Sequence, residues 1–389
     1  MKASTHLKTV ALAAALLNGA FMTAATATEG GWASAGGADW PPEPTVIAHR
    51  GASALRPEHT LAAYLKAIED GADLIEPDLV ITKDGVLVAR HENAIAIVNA
   101  DGSLKEATTN VAELPEFADR KTTKTIDGAA ITGWFVEDFT LHELKTLRAR
   151  ERIPAIRPAN TAFNDQFEIP TFQEVIDLAR AESEKRGRTI GVAPETKHPT
   201  FFRSIGLPLE PALIAILDQN GLNRKEAPVI VQSFEVGNLK ELRKQTDVRL
   251  AQLVDDAGRP YDFIALGEAE KRTYDDLLTD AGLKEIATYA NILAPYKTFI
   301  VPVADGKPGK PTDLAQRAHA AGLSVLIWTL RPENNFLPES LRKEPRNDKT
   351  ARGDSVGEIT IYLDAGVNAF FSDDSAVGRA AVDAFRKKP

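Results

Sequence analysis

The 389-residue chain contains no cysteine. Disulfides, thiol nucleophiles and cysteine-ligated zinc are excluded at once. No GxGxxG or GxxxxGK[ST] loop follows any candidate strand, so the usual signatures of Rossmann and P-loop nucleotide binding are missing. No GxSxG elbow appears either, and serine acyl transfer has no support. Basic residues are outnumbered, 46 Lys and Arg against 55 Asp and Glu, for a formal charge of −9. Such a chain is a poor electrostatic partner for nucleic acid or anionic lipid. Beyond the N-terminus, no apolar run approaches the ~20 residues of a membrane span.

At the N-terminus, Lys2 and Lys8 flank the start of the apolar stretch VALAAALLNGAFMTAA, and Ala25-Thr26-Ala27 has the small-x-small form of a cleavage site. This pattern predicts a secretory signal peptide over 1–27. Asn18-Gly19 breaks the run, which argues against an anchor. Cleavage would remove two lysines and take the formal charge from −9 to −11. Residues 28–44, rich in Gly and Pro, read as a flexible leader, and 45–389 as one catalytic domain. The expected destination is secreted, in the periplasm, with no stable membrane insertion.

Candidate strands recur at 46–49, 74–79, 86–91, 190–195, 229–234, 250–254, 291–294, 324–330 and 369–372. Amphipathic stretches at 60–70, 171–187, 208–219, 237–246, 274–281, 312–321 and 357–365 separate them. This alternation argues for an α/β fold with a mainly parallel sheet and outer helices. The strand number favours a (β/α)8 TIM barrel over an open sheet. Two segments interrupt it. Residues 93–167, with a helix expected at 141–150, form an insertion after the third strand, and 331–355 is a long polar loop. Both follow strand ends, where barrel enzymes build their sites.

The stretch HRGASALRPEHT, starting at His49, follows the first apolar run. Alone it reads equally as a solvated loop or as the lip of a site. LIEPDLVITKDGVLVARH adds Glu76 and Asp78, two apart and so on one face of a strand. With Lys83 and Asp84 as turn residues, the hairpin register would set Glu76 opposite His91. The segment APETK contributes Glu195 and Lys197 with the same spacing. Three carboxylates suit a hard divalent cation such as Ca2+ or Mg2+. Arg50 and Lys197 can clamp phosphoryl oxygens, and His49 and His91 suit acid–base work. Together they describe phosphodiester cleavage better than acyl transfer. His142, His198 and His319 read as surface or loop residues, and His59 as no more than support.

The motifs HRGASALRPEHT, IEPDLVITKDGVLVARHE, PETK, VQSFE and VLIWTL, in this order, resemble the glycerophosphodiester phosphodiesterase family. The resemblance spans residues 46–378, and FTLHELKTL and RPANTAFNDQFEIPTFQEV resemble its longer exported branch. It implies a TIM barrel, a divalent cation (Ca2+ ahead of Mg2+) and hydrolysis of a small glycerophosphodiester to glycerol 3-phosphate and an alcohol. By motif, His49 and His91 would be the acid–base pair and Glu76, Asp78 and Glu195 the metal ligands. Arg50 and Lys197 would hold phosphate, with Glu58, Phe234 and Trp328 completing the substrate pocket. Direct water attack and a cyclic phosphate intermediate both remain open, as does oligomeric state. Three details depart from the common pattern: Pro77 between the acids, Glu92 where Asp often follows the histidine, and the loose ending SDDSAVG. A lysophospholipase D or sphingomyelinase D-like lipid hydrolase is the alternative on the same barrel. The Thr-, Asp-, Glu- and Lys-rich insertion tilts against it.

Overall fold

The computed structural model describes residues 40–388, so the expected signal peptide lies outside the described residues. Its main sheet has eleven strand segments. One of them, Leu87–Ala89, is an antiparallel hairpin partner. Two barrel strands are each split by a proline. The second breaks at Pro77 into Leu74–Glu76 and Asp78–Ile81, and the third at Pro194 into Gly191–Val192 and Glu195–Thr196. Counted as whole strands, eight run parallel.

The ring closes pair by pair. Thr45–His49 lies between Leu74–Glu76 and Ala369–Ser372. Both halves of the split second strand pair with the matching halves of the third, which passes the sheet to Ile230–Ser233. Arg249–Val254, Ile292–Pro295, Ser324–Leu330 and Ala369–Ser372 complete the circuit. The prolines accept but cannot donate: Pro77 and Pro194 carbonyls receive the amides of Glu195 and Gln232 at 3.0 and 2.9 Å. Each strand therefore loses one ladder donor just before a carboxylate of the site.

The helices form where the alternation predicts them, because their ends are capped. Thr60 caps Leu61–Glu69, and a Thr171–Glu174 capping box starts Phe172–Arg186, which Gly187 ends in the left-handed region. Two expectations need correction. The helix expected at 141–150 is a single turn, Leu141–Leu144, because Arg148 turns away to exchange hydrogen bonds with Asn110. The one expected at 274–281 is two helices, Tyr274–Leu277 and Asp280–Ile286, the second restarted by a Thr279 cap. Apolar side chains fill both the barrel interior and the space between barrel and helices. The interior cluster includes Trp40, whose carbonyl accepts from Arg249 at 2.9 Å. The fold thus takes in residues 40–44, which the sequence assigns to the leader.

The third expected strand precedes the insertion but stands outside the barrel. Leu87–Ala89 pairs with Asp78–Ile81, with Leu79 opposite Ala89 and Ile81 opposite Leu87. This register is one residue away from the one expected to set Glu76 against His91. The loop has three residues rather than two: Thr82 N–H bonds the Val86 carbonyl, and Gly85 takes a left-handed φ of +82°. Beyond it the insertion builds a sheet of its own, unforeseen from the sequence. Its antiparallel order is Leu104–Ala107, Ala94–Val98, Ala129–Phe135, Thr122–Ile126.

The turn after the first strand depends on Gly51, with φ +85° and no room for a Cβ, which would sit 2.7 Å from the Ala63 backbone. Gly85 has a similar φ in open space. Gly51→Ala should cost at least about 3 kcal/mol and Gly85→Ala about 1 kcal/mol, measured as the loss of unfolding free energy in urea. Equal losses would mean that backbone strain alone, not close approach, demands the glycine.

Candidate active site

Barrel register brings the sequence-predicted residues into one tier. His49 lies opposite Glu76, Asp78 opposite Glu195, and Glu195 opposite Gln232. His49 and Glu76 end their strand segments, while Asp78 and Glu195 open the segments that follow Pro77 and Pro194, toward the face where barrel loops assemble sites. After His49 the chain reverses through Arg50 and Gly51, with φ of +61° and +85°. The turn aims the Arg50 amide at Glu76 Oε2, 2.7 Å away.

Glu76, Asp78 and Glu195 are all buried, and each offers a carboxylate oxygen within 4.8 Å of the others. Burial and the neighbouring Asp78 push the Glu76 carboxyl well up, and the same causes raise Glu195 to about 8. Burial would raise Asp78 too, but Lys197 and His59 outweigh it and hold Asp78 well below its ordinary value. The donor set is oxygen-only, crowded and short of positive charge, which fits a hard divalent cation. The chain's own cations stand close: Lys197 Nζ is 3.0 Å from Glu195, and Arg50 Nε 3.4 Å from Asp78. Arg50 Nε is buried with no hydrogen-bond partner among the described residues.

Each histidine carries a carboxylate on Nδ1. His49 Nδ1 lies 2.6 Å from Asp373, and His91 Nδ1 3.2 Å from Glu92. Burial and Arg50 lower His49 to about 4 despite Asp373, so its imidazole is neutral near pH 7. Burial, Arg50 and Lys197 lower His91 in the same direction. Both rings line one cleft together with Arg50, Glu76, Glu195 and Lys197. Phe234 and Trp328 form its apolar wall, edge to face at 5.5 Å. Glu58 does not line this cleft. Its carboxylate is held behind Arg50 by Arg50 itself (3.2 Å) and by Arg152 (2.9 Å), so it orients the guanidinium from the rear.

The family model for the glycerophosphoryl diester phosphodiesterase family matches residues 49–377. The chain belongs to this family. It is 37% identical over 333 residues to the glycerophosphodiester phosphodiesterase GDPD6 of Arabidopsis thaliana, covering 82% of this chain and 83% of that one. It is 26% identical to the glycerophosphodiester phosphodiesterase of Haemophilus influenzae over 83% of this chain and 88% of that one. Among solved structures, an Oleispira antarctica phosphodiesterase in complex with the product sn-glycerol-3-phosphate aligns with TM-score 0.53 and 19% identity, over 88% of this chain and 97% of that one. The protein is therefore an enzyme, a glycerophosphodiester phosphodiesterase acting on a small-molecule diester, on a TIM-barrel fold.

His59, read from the sequence as support, is fully buried and bridges Tyr64 Oη at 2.8 Å and Asp78 Oδ2 at 2.9 Å, so it supports the trio directly. Other residues of this phosphodiesterase site escaped the sequence reading. Asp373 is gripped by Arg157, with Arg331 3.3 Å away. His198, read as a loop residue, bridges Glu92 and Asp127. Only Asp373 carried a signal, in the run SDDS that follows the last strand. A larger cavity, about 370 Å³, lies near the opposite end of the barrel, where Arg243 and Arg249 mainly hold backbone carbonyls. It gathers no comparable set of acid, base and clamp.

Arg90 is buried and donates to the carbonyls of Glu58 (3.1 Å), His59 (2.8 Å) and Thr108 (3.1 Å), tying the first loop to the insertion. Arg90→Met would leave these acceptors unpaired and should cost about 3 kcal/mol. Denaturant unfolding checks the value. A loss below about 0.5 kcal/mol would show that the loop holds itself without the guanidinium.

Proposed function

We propose that this phosphodiesterase is an exported, metal-dependent enzyme that releases glycerol 3-phosphate and an alcohol, with His49 and His91 as its acid–base pair. The observation that carries the reading is one cleft lined by two imidazoles, two phosphate-binding cations and carboxylates of an oxygen-only trio. The product complex of the Oleispira protein, on the same fold, supports the product assignment. A divalent cation held by Glu76, Asp78 and Glu195, Ca2+ by preference, would supply Lewis-acid polarisation of the phosphate oxygens.

The chain's own residues account for the rest. Arg50 offers its guanidinium, and Lys197 its ammonium, to the phosphate oxygens as negative charge grows on them. Asp373 accepts the Nδ1 proton of His49, which leaves the Nε2 lone pair free as a base. His49 takes the proton of the attacking hydroxyl, from water or the glycerol 2-position. A new phosphorus–oxygen bond forms as the one to the alcohol breaks, and the departing oxygen takes the Nε2 proton of His91. This step needs the His91 ring loaded as imidazolium, with Glu92 and the anionic diester favouring that form against burial, Arg50 and Lys197. On the 2-hydroxyl route, water then opens the cyclic phosphate to glycerol 3-phosphate. Phe234 and Trp328 offer the glycerol carbons an apolar wall. The insertion carries one exposed large apolar side chain, Leu104, which favours soluble diesters over lipids. Export rests on the signal pattern at 1–27. No helix among the described residues is long and apolar enough to cross a membrane.

His49→Ala should lower kcat on glycerophosphocholine by roughly 10²–10⁴-fold. Chelator should abolish wild-type turnover, and added Ca2+ should restore it. Chelator-resistant turnover would remove the metal from the reading, and full turnover by His49→Ala would remove the acid–base pair.

A further inference from the structure

Behind His91 runs a chain of three side chains from three different parts of the fold. Glu92 Oε1 lies 3.2 Å from His91 Nδ1, and its other oxygen lies 2.7 Å from His198 Nε2. His198 Nδ1 lies 2.6 Å from Asp127 Oδ2. Glu92 follows the hairpin strand, His198 follows the third barrel strand, and Asp127 sits at a turn of the insertion sheet. That turn is tight. Asp127 and Gly128 both have positive φ, +47° and +82°, in a two-residue loop between paired Ile126 and Ala129. Its hairpin fixes the Asp127 carboxylate in place.

The backbone around His198 argues against a purely local role. His198 precedes the helix Pro199–Ser204 in a left-handed conformation, φ +47°, which non-glycine residues adopt only uncommonly. Its ring makes no capping bond, and the Thr200 amide is served by Glu235 instead. Both ring nitrogens point to carboxylates, and these hold the imidazole's pKa up at about 9 although burial would lower it. A protonated ring donates from both nitrogens. One Glu92 oxygen is thereby committed to His198, leaving the other facing His91 Nδ1 at 3.2 Å. The His49 side is built alike, with Asp373 gripped by Arg157.

We propose that His198 and Asp127 are positioning residues for His91, acting through Glu92: His198 clamps the carboxylate that fixes the tautomer and direction of the His91 ring. This rests on the reading of His91 as a catalytic acid. Neither His198 nor Asp127 touches the reacting atoms, and the insertion acts on the chemistry through them.

The test is a double-mutant cycle in the full-length, metal-loaded enzyme, with kcat and KM on glycerophosphocholine and thermal unfolding for each variant. Glu92→Gln should lower kcat by roughly 100-fold and His198→Gln by roughly ten-fold, each with KM within about two-fold of wild type. In the Glu92→Gln background, His198→Gln should lower kcat no further. Asp127→Asn is the milder variant should His198→Gln fail to fold, and the same cycle with Glu92→Gln applies to it. The ring 15N signals of His91 give a readout independent of turnover. They should report the Nδ1-protonated form in the wild type at pH 8 and a mixture of tautomers in His198→Gln. Wild-type kcat in a folded His198→Gln, or losses that multiply in the double variant, would overturn the proposal and leave His198 as a fastener for the hairpin. An unchanged His91 signal would overturn it as well. If His91→Ala alone kept wild-type kcat, the acid assignment would fail, while the nitrogen signals would still show whether His198 orders that ring.

Discussion

Three buried carboxylates within 4.8 Å of one another are the constraint around which this molecule is arranged. Such a cluster repels itself, and burial removes the water that would screen it. The surrounding chain answers with donors and cations from several directions. Arg50 offers its amide to Glu76, His59 a ring nitrogen to Asp78, and Lys197 its ammonium to Glu195. These groups still leave Glu76 and Glu195 pushed upward, so the chain alone does not neutralise the cluster. That residual mismatch suits the same cluster to a divalent cation.

The insertion belongs to the site as much as the barrel does. Arg152 reaches Glu58 behind Arg50, Arg157 reaches Asp373 behind His49, and Asp127 reaches His198 behind Glu92. The first two contacts end on a side chain that touches a cleft residue, and the third stands one side chain further back, with Glu92 between His198 and His91. Barrel loops position functional groups but are individually flexible. A second sheet packed over them, with polar groups reaching inward, limits that freedom. The polar composition of the insertion, which looked like solvated surface, is partly a set of inward-facing clamps.

The alternation of apolar runs with capped helices made the barrel legible, since strand and helix periods are local properties of the chain. The pairs at two-residue spacing, Glu76 with Asp78 and Glu195 with Lys197, were legible for the same reason. The hairpin register was not. It turned on whether the loop spends two residues or three, and Gly85 at φ +82° decides that only in the folded turn. The insertion sheet was missed although Ala94–Val98 and Ala129–Phe135 are largely apolar, because their partners Leu104–Ala107 and Thr122–Ile126 are short and polar and the Asp127-Gly128 turn resembles any other exposed pair.

By itself, then, the sequence determined the strand–helix alternation of a barrel, though it counted the hairpin strand at 86–91 among the barrel strands, and it determined which ionisable residues stand near the strand ends. Each of these follows from near neighbours in the chain or from a motif shared with the family. Only the tertiary structure decided which side chains stand behind those residues. Asp373 is 324 residues from His49, and His198 is 106 from Glu92. No local pattern encodes such pairs, because they exist only once a closed barrel brings its first and last strands together and the insertion folds over the rim.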